Sequence, residues 1–111
     1  MKIYIAGPWS TSGEPGPNLH AAANAAAELL ERGHFPFVPH TVWILHAVRP
    51  DVPITKWFEW DLAWLQDCDA LLRLPGKSRG ADLEVALANE IGIPVYESIE
   101  DIDDGSEQST S

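Results

Sequence analysis

Four short apolar runs, separated by longer segments, constrain the fold of this 111-residue chain more than any other feature. They are rich in β-branched and aromatic residues, as strands are, and span residues 2–6, 35–38, 70–74 and 93–96. Helical periodicity appears between them at residues 18–33, 56–67 and 85–91. Strands that alternate with helices predict a parallel sheet. We therefore expect one flavodoxin-like or Rossmann-like α/β domain, with four or five parallel strands and helices on both faces.

The spacing of apolar residues predicts which helix faces are buried. Asn18 is expected to cap the first helix. The buried face of that helix is predicted to comprise Leu19, Ala22, Ala23, Ala26, Ala27 and Leu30. Pro36 favours an edge position for the strand at 35–38, because proline cannot donate a ladder hydrogen bond. A short helix is expected at residues 41–48.

Asp61 interrupts an apolar helix. In the helix at 56–67, one stripe consists of Phe58, Leu62 and Leu65, and the neighbouring stripe of Trp57, Asp61 and Trp64. Asp61 is therefore either a boundary carboxylate bonded to nearby backbone or a carboxylate held in a partly dry site. In a dry site its surroundings would tune its pKa.

The charge and cysteine content exclude several kinds of protein. The formal net charge is −10, which argues against a nucleic-acid polymer as partner, because polyphosphate binding needs a basic patch. Cys68 is the single cysteine, so no internal disulfide forms, and the four histidines lack zinc-site spacing. We expect neither a metal nor a cofactor. No long apolar span or signal peptide is visible, which predicts a cytoplasmic protein that does not enter a membrane.

Acidic residues are concentrated at the end of the chain. The last twelve residues hold Glu100, Asp101, Asp103, Asp104 and Glu107. This composition predicts a domain at residues 1–98 and a solvated, disordered tail at residues 99–111.

A glycine-bounded loop, residues 76–84, lies between the third strand and a helix that ends at Gly92. Free N–H groups and the helix dipole make such a helix start a binding site for an anion. Glu84 is expected in the first turn, either as an ordinary first-turn acid or as a functional group. Residues 7–17 form a second loop at the same sheet edge. In a doubly wound sheet both loops, Tyr4 and Asp61 can converge on one crevice.

Three motifs, in order along the chain, resemble those of the nucleoside 2-deoxyribosyltransferase superfamily, which includes the 2′-deoxynucleoside 5′-phosphate N-hydrolases. They are Ile-Tyr-Ile-Ala-Gly-Pro at 3–8, Asp-Leu-Ala-Trp-Leu-Gln-Asp-Cys-Asp at 61–69, and Gly-Ala-Asp-Leu-Glu at 80–84 with Gly-Ile-Pro-Val at 92–95. The resemblance runs from about residue 2 to residue 96.

The resemblance implies cleavage of the N-glycosidic bond of a deoxynucleoside or its 5′-monophosphate. Glu84 matches the nucleophile, Asp61 the aspartate that assists proton transfer, and Tyr4 the tyrosine that orients the nucleophile. Ser78 falls where the hydrolases place a phosphate-binding serine. The remaining residues implied to bind substrate are Gly7, Pro8, Trp9, Ser10, Gly80 and Ala81. Trp9, Trp43, Trp57 and Trp60 are candidates for stacking on the base.

The chain departs from the superfamily at two points. Asp82 stands where relatives often have glycine, and its charge would raise the pKa of Glu84 or repel a phosphate. The longer C-terminal segment that completes a neighbour's site in many relatives is missing, although the resemblance implies a homodimer or higher homo-oligomer.

Three functions remain open from the sequence. The first is an N-glycosidase or deoxyribosyltransferase that acts on a small nucleoside or nucleotide. The second is a non-catalytic nucleotide-binding module of the same fold. The third is a flavodoxin-like phosphoacceptor regulator, which would need an acidic pair where Ala6, Gly7 and Pro8 stand.

Overall fold

The computed structural model describes residues 1–9 and 16–104. The strands are β1 (Lys2–Ala6), β2 (Phe35–Phe37), β3 (Ala70–Arg73) and β4 (Val95–Tyr96). The helices are α1 (Gly16–Glu31), α2 (Thr41–Val48), α3 (Ile54–Leu65) and α4 (Arg79–Ile91), and a 3-10 helix spans Ile99–Asp101. In the described part of the chain, no helix has both the length and the apolar character to cross a bilayer.

The sheet is parallel and its strand order is β2-β1-β3-β4. The predicted edge position of β2 is confirmed. The order reverses between β1 and β3, so the crevice that binds ligands in such sheets opens where these two strands end.

Helices cover both faces of the sheet. Ile3 and Ile5 of β1 pack with Leu29 of α1 on one face. Tyr4 and Ala6, which alternate with them, pack on the other face with residues of α3 and α4. This arrangement confirms the predicted flavodoxin-like α/β fold.

The first helix differs from its prediction. It begins at Gly16, so Asn18 lies inside its first turn and is not its cap. Its buried residues are Ala22, Ala25 and Leu29, whereas Ala23, Ala27 and Leu30 are exposed. The cause is the run of alanines, which allows more than one choice of buried face at the helical period. In α3, Leu65 of the predicted apolar stripe is buried, whereas Phe58 of the same stripe is 43% exposed.

The acidic segment after residue 98 is partly packed on the domain. Ile102 is 2% exposed and joins the core on the α1 side of the sheet. Arg32 donates to the Ile99 carbonyl at 3.1 Å and lies 3.8 Å from the Asp104 carboxylate. The packed chain therefore continues to residue 104, beyond the boundary predicted at 98, because Ile99 and Ile102 add apolar contacts to an acidic run. Residues 105–111 of the predicted tail lie outside the described residues.

Candidate active site

The β3–α4 connection is shorter than predicted because Ser78 caps α4. The Ser78 backbone is extended (φ −158°, ψ 112°), and its Oγ accepts a hydrogen bond from the Ala81 N–H at 3.1 Å. Serine is among the preferred N-cap residues, so Ser78 is the residue in the sequence that indicates where α4 begins. As a result Glu84 lies in the second turn, not the first, and Asp82 occupies the first turn.

Glu84 is held by Tyr4. The Tyr4 side chain is fully buried under α4, and its hydroxyl donates a hydrogen bond to Glu84 Oε2. Burial raises the pKa of Glu84 to about 7, although the bond from Tyr4 and the charge of Arg73 oppose the rise. Burial and the negative charge of Glu84 raise the pKa of Tyr4, so the hydroxyl stays protonated and remains a donor.

Asp61 faces the same site from α3. Its side chain is 4% exposed, and Oδ1 has no hydrogen-bond partner among the described residues. Burial, and then the negative charge of Glu84, raise the pKa of Asp61 to about 8. Of the two interpretations of Asp61, these observations favour a carboxylate held in a partly dry site. A carboxylate at the boundary of the core would instead be bonded to nearby backbone or to solvent.

Both carboxylates line one cavity of about 380 Å³ at the carboxyl edge of the sheet. Five of the residues that the resemblance implied as substrate-binding also line it: Gly7, Trp9, Ser78, Gly80 and Ala81. Pro8 is buried beside the cavity and does not line it, while Ser10 lies outside the described residues. Tyr4 reaches the site indirectly, through its bond to Glu84.

Aromatic rings form the wall opposite α4. Trp9 stacks on Trp43, with ring centroids 5.8 Å apart and planes at 18°, and Phe58 meets Trp43 edge-on at 5.9 Å. Of the four candidate tryptophans, Trp9 and Trp43 line the cavity. Trp57 and Trp60 contact each other outside it.

His40 lines the cavity and was missed by the sequence reasoning. It is buried, its Nε2–H donates to the Pro8 carbonyl at 3.1 Å, and burial lowers its pKa. The bond therefore ties the start of α2 to the loop after β1. Its position in the sequence, just beyond the carboxyl end of β2, could have identified it, because ligand-contacting residues of such sheets lie there.

Charges near the start of α4 are divided between the cavity and the outer surface. Arg79 lines the cavity, and the N–H groups of Arg79 and Gly80 precede the first intrahelical hydrogen bonds. Asp82 points outward, is 73% exposed, and pairs with Arg73 at 3.0 Å. The charge of Asp82 is therefore countered by Arg73, away from the cavity. Within residues 1–9 and 16–104, no three His, Cys, Asp or Glu side chains converge as a metal ion requires.

The strand order and the cavity at its reversal point define a flavodoxin-like α/β protein with a cavity at the carboxyl edge of its sheet. The chain belongs to the family DUF4406, a domain of unknown function, whose model matches residues 1–97. The comparison with curated proteins found no match.

Two solved structures have the same fold. The 2-deoxyribosyltransferase of the psychrotolerant bacterium Bacillus psychrosaccharolyticus aligns with a TM-score of 0.65 and 23% identity, over 89% of this chain and 76% of that one. The 2-desoxiribosyltransferase of Leishmania mexicana aligns with a TM-score of 0.59 and 20% identity, over 85% and 61%. The likeness confirms the fold that the sequence resemblance implied.

Proposed function

We propose that the protein cleaves the N-glycosidic bond of a (2′-deoxy)nucleoside 5′-monophosphate, with Glu84 as the nucleophile. One observation carries the proposal: Glu84, fixed by the Tyr4 hydroxyl, lies in the same cavity as a second buried carboxylate, Asp61. Paired carboxylates are the usual means of breaking a glycosidic bond through an oxocarbenium-like transition state. The superfamily resemblance and the fold shared with two 2-deoxyribosyltransferases support the same chemistry.

In the first step, the Glu84 carboxylate attacks C1′ of the sugar and the C1′–N bond breaks. The electron pair of that bond leaves with the base, which takes a proton from Asp61. Tyr4 holds the Glu84 carboxylate in one orientation during the attack.

In the second step, Asp61 accepts a proton from water, and the water oxygen displaces Glu84 from C1′. The products are free base and sugar phosphate. If a second base enters in place of water, the same intermediate gives deoxyribosyl transfer. Transfer is the second candidate function, favoured by the similarity in fold to two 2-deoxyribosyltransferases.

The protonation states suit these roles. Burial raises the pKa of both carboxyl groups, to about 7 for Glu84 and about 8 for Asp61, but the bond from Tyr4 and the charge of Arg73 favour the ionised form of Glu84. This leaves an ionised nucleophile beside a protonated acid, the pattern by which two carboxyl groups divide the work. We expect base release to be greatest near pH 7 to 8. The rate should fall at lower pH, where Glu84 is protonated, and at higher pH, where Asp61 is ionised.

A 5′-phosphate would bind at the start of α4. The Arg79 side chain and the free N–H groups of the first turn supply positive potential there. The Ser78 hydroxyl already accepts a bond from Ala81, and its own proton remains available for a phosphate oxygen. Lys77, the cation on the other side of Ser78, does not line the cavity.

The test is a panel of deoxynucleosides, ribonucleosides and their 5′-monophosphates, each with and without an acceptor base, assayed for free base. Glu84→Gln should abolish release. Glu90→Gln is the matched control, because Glu90 is an exposed residue of the same helix. Release by Glu84→Gln at the wild-type rate would refute the mechanism, and binding without release by the wild type would indicate the non-catalytic module.

The quaternary state and the location in the cell remain predictions. A homodimer or higher homo-oligomer is expected from the superfamily, and light scattering coupled to size-exclusion chromatography would measure it. A cytoplasmic location agrees with a nucleotide substrate and is checked by cell fractionation.

A further inference from the structure

Arg73, the last residue of β3, joins the strand to the loop and helix that follow it. Its Nη1 donates to the Leu74 carbonyl, and its Nη2 donates to the Gly76 carbonyl at 2.9 Å and to Asp82 Oδ1 at 3.0 Å. The side chain is only 15% exposed. Three acceptors from three different positions therefore depend on one guanidinium group.

The sheet register places Arg73 on the helix-covered face that holds Tyr4. Tyr4 pairs with Leu71, and Ala6 pairs with Arg73 two positions further along the parallel ladder. Because side chains alternate between faces, residues 4, 6, 71 and 73 point the same way. The helix α4 is thus fixed to the sheet by two side-chain bonds, from Tyr4 to Glu84 and from Arg73 to Asp82.

The loop between Arg73 and α4 has little freedom to adjust. Gly76 has φ of +115°, and a Cβ added there would lie 3.0 Å from Cγ of Pro8. The carbonyl of the same residue accepts from Arg73. The loop is therefore held on one side by Arg73 and on the other by the segment after β1.

We propose that Arg73 is a positioning residue that holds the β3–α4 loop and the first turn of α4 so that Glu84 stays aligned with the Tyr4 hydroxyl. The inference rests on the proposed function of Glu84. Arg73 touches neither the cavity nor the expected position of substrate, because it lines a separate cleft together with Asp82.

The charge of Arg73 adds an electrostatic effect. The groups that face Glu84 are the Tyr4 hydroxyl from β1, Asp61 from α3 and Arg73 from β3. Arg73 lowers the pKa of Glu84 and so favours the ionised nucleophile. Its loss would raise that pKa and shift the acidic limb of the pH profile upward.

The experiment measures the titration of Glu84 directly. Carbon-13 carboxyl NMR is recorded against pH on the whole chain without substrate, and the Glu84 signal is assigned by its absence from Glu84→Gln. Arg73→Met keeps the length of the side chain and removes its charge, so the midpoint of Glu84 should rise above its wild-type value of about 7. Asp82→Asn keeps Arg73 and its two carbonyl bonds, so the midpoint should not rise.

Arg73→Lys separates position from charge. Lysine keeps the charge but cannot reach both carbonyls and Asp82 with one fork. We expect its Glu84 midpoint to stay near the wild-type value while kcat falls about tenfold or more and KM changes less. Wild-type kcat in Arg73→Lys, or an unchanged Glu84 midpoint in Arg73→Met, would overturn the inference.

The outcomes separate the two proposals. If the wild type releases no base, the proposed function fails, yet the Glu84 titrations still decide whether Arg73 acts on it. If the wild type releases base and Arg73→Met titrates normally, the function stands and the inference fails. If Arg73→Met does not fold, Arg73→Lys and Asp82→Asn still give the decisive kcat and titration values.

Discussion

Replacement of Tyr4 by phenylalanine isolates the contribution of one hydrogen bond to the site. The Tyr4 ring stacks on Phe37 at 5.5 Å and is buried in the core on the α4 side, so phenylalanine preserves the packing. Only the hydroxyl that donates to Glu84 Oε2 is removed. Glu84 then remains buried and loses its donor.

The magnitude follows from the kind of bond. A hydrogen bond to a charged group contributes about 1.5–3 kcal/mol, and one pKa unit corresponds to about 1.4 kcal/mol. The pKa of Glu84, about 7 in the wild type, should therefore rise by about one to two units in Tyr4→Phe. At pH 7 about half of the wild-type protein carries the ionised nucleophile, whereas only about one to ten per cent of Tyr4→Phe would, so base release should fall roughly fivefold to fiftyfold.

The assay is kcat/KM for base release between pH 5 and 9.5, with melting temperature measured alongside. We expect the deficit of Tyr4→Phe to shrink as pH rises, because the carboxylate ionises again above its new pKa. An equal deficit at every pH would mean that Tyr4 orients Glu84 without affecting its ionisation. Full activity at pH 7 would refute the argument that this bond supports an ionised nucleophile.

Three further perturbations test other parts of the structure. Folded Asp61, with its pKa near 8, retains a proton that unfolded aspartate releases near 3.8, so stability should fall as pH rises between these values. Asp61→Asn should flatten this fall in a melting series from pH 4.5 to 8.5, and an unchanged slope would contradict the burial argument. Ser78→Gly keeps most of the capping stability and removes the hydroxyl. It should weaken the binding of a 5′-monophosphate about tenfold and leave the binding of a free nucleoside nearly unchanged. Equal losses of affinity for the two ligands in calorimetry would exclude the phosphate contact. Gly76→Ala should lower the free energy of unfolding in urea by about 1–3 kcal/mol, because Gly76 has a positive φ and its new Cβ would contact Pro8. Gly80→Ala is the control, because a Cβ at Gly80 would meet only open space.

The sequence predicts the sheet well because the strands are short runs with clear boundaries. Lys2–Ala6 stops at Gly7-Pro8, and Pro36 signals an edge strand, which β2 is. The position of the cavity follows from strand order alone, since the two loops after β1 and β3 must meet at the reversal point. The same reasoning predicted that Asp61 and Glu84 lie in one crevice.

The sequence predicts less well where several residues could satisfy the same rule. Because α1 has alanines on both faces, the predicted buried face was partly wrong, and Ala25 was missed. The glycines around Ser78 suggested a loop, but the serine caps a helix that begins one residue later. Ile102 was hidden by its acidic neighbours. His40 was missed although it follows the carboxyl end of β2, because its contact, the Pro8 carbonyl, lies 32 positions earlier in the chain.

The unpartnered Oδ1 of Asp61 offers a practical way to find the ligand. A molecule that donates a hydrogen bond to this oxygen would supply a partner that none of the described residues provides. Binding to the folded state alone raises the melting temperature by mass action. The gain should be larger at pH 8.5 than at pH 6, because more of the Asp61 population is then charged and buried without a donor. A thermal-shift screen of nucleotides at these two pH values would therefore rank compounds by how well they reach Asp61, before any product has been detected.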